Sequence, residues 1–132
     1  GTPVAFETLS KEFYSGLTEE ALTFATDRNT LTRLWNTMTS QREPKPDLPE
    51  MDFSKDMAIS VAMGNRPTGG FSIRIVHIED THGEPPHERM VYYVRTHPQP
   101  GGLTTPAFTS PCHLVRCPAS PLTVRFKGVD AE

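Results

Sequence analysis

Long apolar runs, cysteine and positive charge are all scarce in this sequence. No apolar run approaches the ~18 residues that a membrane-crossing helix requires. The 132 residues carry a net charge of -3, with Lys and Arg scattered along the chain, which argues against nucleic acid as a partner. There are two cysteines, Cys112 and Cys117, five positions apart. They fall in a stretch that reads as a strand, which would set them about 16 Å apart on opposite faces. A disulfide needs Cα atoms closer than about 7 Å, so the two should not pair.

Recognisable catalytic signatures are missing as well. There is no Gly-x-Ser-x-Gly, no phosphate loop and no His-Glu-x-x-His. Cys112 precedes His113, but adjacent strand residues point apart and cannot form a nucleophile–base pair. His77, His82 and His87 flank one hairpin turn with Glu79 and Asp80 nearby. A structural zinc site usually shows tighter ligand spacing, so these read as solvent-exposed turn histidines. Asp52, between Met51 and Phe53, reads as a cap or turn acceptor. The expectation is a non-enzyme with no metal and no cofactor.

Proline is abundant instead. The thirteen prolines are about twice ordinary usage, which favours loops and argues against a helical bundle. Mean hydropathy is -0.44, that of a soluble chain. The sharpest concentration of turn residues is Gly64-Asn65-Arg66-Pro67-Thr68-Gly69-Gly70-Phe71. Met57, Ile59, Val61 and Met63 alternate into it, and Phe71, Ile73 and Ile75 lead out. Gly64, Gly69 and Gly70 allow positive φ or close backbone approach. Asn65 can bond its own backbone, and Pro67 fixes φ and removes a donor. A two-residue hairpin needs far less than this. The extra length predicts a shaped, exposed loop, and Asn65, Arg66, Pro67, Thr68, Gly69, Gly70 and Phe71 are the candidate partner-binding residues.

Around that loop the pattern is mostly strand. Residues 1–15 read as a loosely ordered lead-in. Strands are expected over 20–26, 57–63, 71–79, 88–96, 112–117 and 122–126. In 71–79 the apolar parity changes after Ile75, so either both faces are covered or a bulge resets the register. Leu122, Val124 and Phe126 alternate with polar residues as in a half-buried antiparallel strand. One helix is expected over 30–40, because Leu31, Leu34, Trp35 and Met38 share a face, with Asp27 or Asn29 as cap. Trp35 on that stripe reads as a core anchor. Residues 41–50 and 97–109 are Pro-rich or Gly-rich loops, and Pro98 to Gly102 forms a second exposed one. The fold class is mainly β or α+β: an antiparallel sheet or sandwich of six or seven strands with one helix packed against it, in a single domain over residues 1–132.

Several of these segments together resemble a known family, the C-terminal domain of the PrcB protease-complex subunit. They are Met51-Asp52-Phe53-Ser54-Lys55, the loop running from Gly64 through Ile73, and Leu34-Trp35 in the helix. Pro100-Gly101-Gly102 and Thr109-Ser110-Pro111-Cys112-His113-Leu114-Val115 complete the set. The resemblance spans roughly residues 15–127, and the Gly-x-x-Pro-Thr-Gly-Gly-aromatic loop is its specific part. Cys112 and Cys117 depart from it, Cys112 standing where an aromatic residue is expected. The resemblance implies a non-catalytic accessory subunit of a bacterial cell-envelope complex that supports a secreted subtilisin-like protease. It also implies an extracytoplasmic location, often as a lipoprotein, and the chain's start at Gly1 is read as leaving room for an upstream signal or lipid anchor. A second likeness is confined to the loop. The segment from Asn65 to Phe71 is similar to the Asn-Pro-Thr-Thr-Gly-aromatic loop of chagasin-type protease inhibitors, which implies an inhibitor as the alternative.

Overall fold

Two strands at the centre of one sheet have both faces covered, and they set the architecture. In the computed structural model, which describes residues 1–83, 85 and 87–129, these are β4 (Asp56–Met63) and β7 (Cys112–Pro118), paired antiparallel. Met57, Ile59, Val61 and Met63 of β4, with Val115 and Cys117 of β7, face a second sheet. Ala58 and Ala62, with Cys112 and Leu114, face the helix instead. Small residues on the helix side let a helix approach that face closely. Large ones on the other side fill the space between sheets, each contributing about 1.5–3 kcal/mol through burial.

The sheet holding these strands runs β2 (Glu7–Glu12), β7, β4, β3 (Glu20–Ala25). The opposing sheet runs β1 (Thr2–Pro3), β5 (Ser72–Asp80), β6 (Glu88–Thr96), β8 (Thr123–Val129). The helix α1 (Arg28–Met38) covers the outer face of the first sheet with Leu31, Trp35 and Met38. Asp27 caps it: its carboxylate accepts the Thr30 N–H at 2.7 Å and the Thr30 hydroxyl at 3.0 Å. Those bonds hold its carboxyl below the usual range. Trp35 is buried, with its indole N–H donating to the Pro46 carbonyl at 3.0 Å, as a core anchor should. The mainly β class, with two sheets and one packed helix, is therefore as expected.

Four details differ from the sequence reading or complete it. Eight strands are present among the described residues, where six or seven were expected. Residues 1–15 contribute two of them, β1 and β2, in place of an irregular lead-in. β8 pairs with β6 in parallel, not antiparallel, because the chain crosses to the other sheet through β7 before returning. The parity change in β5 is a bulge between Ile75 and His77, which returns Ile78 to the core beside Ile73 and Ile75. Within the hairpin turn that His77, His82 and His87 flank, Glu84 and Pro86 lie outside the described residues.

Buried polar side chains stitch the two sheets. Arg89, 3% exposed, makes a bidentate pair with Asp80 at 2.7 and 2.9 Å and also donates to the Pro118 carbonyl. His113 reaches from β7 to β5, accepting the Ile75 N–H at Nδ1 (2.9 Å), while Nε2 lies 2.8 Å from the Thr8 hydroxyl. At the opposite end Arg95 pairs with Glu20 across the sheets. Cys112 and Cys117 are both free and buried, one in each apolar layer, as their spacing required.

Candidate functional site

The connection from β4 to β5 carries the seven candidate residues, and hydrogen bonds tie it down along its length. Gly64 (φ 75°) and Gly70 (φ 88°) supply the two left-handed positions. A Cβ on Gly64 would stand 2.8 Å from the Glu20 backbone nitrogen, and one on Gly70 would stand 2.8 Å from the Pro98 Cβ. Only glycine suits either place. Gly69 serves by close approach, since its missing side chain lets Thr105 lie where a Cβ would come within 3.2 Å.

Between the glycines the loop borrows partners from distant segments. The Asn65 N–H donates to the Thr18 carbonyl at 3.0 Å. Arg66 and Thr109 exchange both backbone bonds, at 2.7 and 2.9 Å, as an antiparallel bridge. The Thr109 hydroxyl donates to the Thr68 carbonyl at 2.8 Å, and the Gly69 N–H to the Thr105 carbonyl at 3.0 Å. The loop is thus one of three layers at this end of the sandwich, beside residues 13–18 and 105–110.

The side chains divide accordingly. Asn65 and Pro67 are exposed, while Arg66, Thr68 and Phe71 are half-buried. Phe71 packs against the inter-sheet core and meets His97 edge-on at 5.6 Å. The Arg66 guanidinium lies over the Phe71 ring at 5.5 Å and forms no ion pair among the described residues. Its Nε is buried without a hydrogen-bond partner among those residues, so the charge rests against a ring and is not neutralised by a carboxylate.

Sequence reasoning missed the segments on either side. Ser15 and Ser110 are buried and lock together: the Ser15 N–H donates to Ser110 Oγ (2.8 Å), the Ser15 hydroxyl to the Ser110 carbonyl (2.8 Å), and the Ser110 hydroxyl to the Ser15 carbonyl (2.6 Å). Above this clasp, Tyr14 (55% exposed) and Phe108 (77% exposed) border a cleft of about 300 Å³ that Asn65 and Gln41 also line. The available signal was the presence of aromatics in stretches without strand or helix periodicity. Elsewhere, Asp52 forms the turn expected of it, accepting from the N–H and hydroxyl of Ser54 at 3.0 and 2.6 Å. His77 and His82 are exposed, and so is His87. No group of three or more His, Cys, Asp or Glu side chains among the described residues could hold a metal ion. Among those residues no helix is long and apolar enough to cross a membrane.

What these features define is a two-sheet β domain with a backbone-braced loop cluster at one end. Residues 57–118, the span from β4 to β7 that includes the loop, match the family model described as PrcB C-terminal. No curated protein and no solved structure matches the chain.

Proposed function

We propose that this chain is a non-catalytic binding subunit of a bacterial cell-envelope complex, located outside the cytoplasm, and that it supports a secreted subtilisin-like protease. The observation that carries the reading is the coincidence of the family match with the braced loop: residues 64–71 lie wholly inside the matched span. The physical logic is preorganisation. A loop already fixed by the Arg66–Thr109 bridge and two left-handed glycines loses little further freedom on binding. Arg66 then offers a partner carboxylate an unneutralised guanidinium beside an aromatic face.

A purified subtilisin-like protease, incubated with and without this protein, tests the reading through its half-life and its turnover. The expected result is a stoichiometric complex with a longer half-life and unchanged turnover. Arg66→Ala should leave the melting temperature in place and weaken the complex by about tenfold, an anchor-sized loss. Normal binding by that variant would relegate the loop to a scaffold. Slower hydrolysis on mixing, with either subtilisin-like or papain-like proteases, would support an inhibitor that presents the same loop.

A further inference from the structure

Large apolar side chains left in water are unevenly placed on this molecule. Among the described residues they are Phe13, Tyr14, Phe24, Leu103 and Phe108. Three of these five, Phe13, Tyr14 and Phe108, belong to the two segments that flank the 64–71 loop. The backbone joins them directly, since the Ser110 N–H donates to the Phe13 carbonyl at 2.8 Å. Clustered exposure of this kind marks an interaction surface, whereas single exposed apolar residues need no explanation.

Resting on the reading of this chain as a binding subunit, we infer that the cleft between Tyr14 and Phe108 is the anchor point for its protein partner, and that it takes an extended, uncharged segment with one apolar side chain seated between the two rings. Three observations shape the occupant. The floor is the Ser15–Ser110 clasp, whose hydroxyls are already bonded to each other's backbone, so it demands nothing from a ligand. Among the described residues, no Lys, Arg, Asp, Glu or His lines the cleft. A charge brought into it would lose water and gain no counter-ion. The Asn65 and Gln41 side-chain amides stand at its edge with no hydrogen bond inside the described protein. Each can both donate and accept, the pairing that a peptide backbone offers in return. Phe13, next to Tyr14 in the chain, adds exposed apolar surface outside the cleft lining, which suits a macromolecule better than a small ligand.

Division of labour follows. The 64–71 loop carries the Arg66 charge and braces the cluster, while the flanking aromatics supply the desolvated anchor that usually dominates binding. Both aromatics are exposed, so truncating them leaves the core intact.

The test is a displayed library of random hexapeptides selected against the full chain, with enriched peptides then synthesised and titrated. Expected is enrichment of uncharged peptides with one aromatic or large aliphatic residue. Tyr14→Ala or Phe108→Ala should weaken the titrated peptides by about tenfold or more. Phe108→Tyr should retain binding, and melting temperatures should not move. Enrichment of acidic or basic peptides, affinities indifferent to both alanine variants, or no enrichment at all would overturn the inference. So would binding of cellohexaose or chitohexaose at this cleft in place of peptides. Failure here is separable from failure of the function proposed above. A protease complex that needs Arg66 but tolerates Phe108→Ala sinks the cleft and spares the subunit. Peptides lost with Phe108→Ala, alongside a protease that ignores this protein, do the reverse.

Discussion

Two glycine- and proline-rich loops project from this sandwich, and they are alike in composition but not in constraint. The 64–71 loop has left-handed glycines whose Cβ positions are blocked, Gly64 by backbone and Gly70 by Pro98. The turn around residues 99–102 has one as well, Gly101 (φ 77°), but nothing lies within 4 Å of where its Cβ would stand. Leu103 beside it is fully exposed. Composition announces a turn in both cases. Only the environment decides whether that turn is fixed from several sides or from none.

The widest separation between the two should come from matched substitutions. Gly64→Ala combines a left-handed residue, about 1–2 kcal/mol, with backbone overpacking of about 1–3 kcal/mol. A loss of about 3 kcal/mol is expected, read by denaturant unfolding. Gly101→Ala bears the first cost alone and should lose about 1 kcal/mol. Equal losses at the two sites would erase the contrast.

Acid should then act on the braced loop's side of the molecule. His113 holds the Ile75 N–H of β5, the strand that leaves the 64–71 loop. Burial, helped by the nearby Lys11 and Arg74 charges, pushes its pKa down to about 4. The unfolded chain binds that proton near pH 6.5 and the folded one does not, so stability falls as pH drops from about 6.5 to 4 and levels off below. The full loss is about 3 kcal/mol, and His113→Gln should flatten the curve across that window. An unaltered curve in the variant would assign acid sensitivity to other groups.

The smallest effect tests the brace itself. Thr109→Val removes the hydroxyl bonded to the Thr68 carbonyl at 2.8 Å and should cost about 1 kcal/mol. Amide exchange should quicken at Arg66 and Gly69 and stay unchanged at Gly102. Uniform exchange across both loops would mean that the brace does not set their difference.

Much of this arrangement was legible in the sequence, for reasons tied to particular residues. The Leu31, Leu34, Trp35 and Met38 stripe required a helix, and all but the half-buried Leu34 are deep in the core. The parity break after Ile75 announced the bulge that the backbone contains. β2 was invisible because Glu7-Thr8-Leu9-Ser10-Lys11-Glu12 has almost no apolar alternation, and its extended form is imposed by pairing with β7. The direction of β8 could not be read either, since alternation encodes which face is buried and not which way a neighbour runs. For the site, the glycines marked the loop, but its brace spans tens of residues, from Arg66 to Thr109 and Asn65 to Thr18. No local pattern carries such a pairing.

The alternation of β7 also gives this protein two native chemical reporters. Cys117 is sealed between the sheets and Cys112 beneath the helix, each thiol pushed up to about 11 by burial. A thiol-reactive dye therefore distinguishes two ways of opening: sheets parting exposes the first sulfur, and a helix lifting away exposes the second. Without any engineered label, the chain records which of its two interfaces yields first.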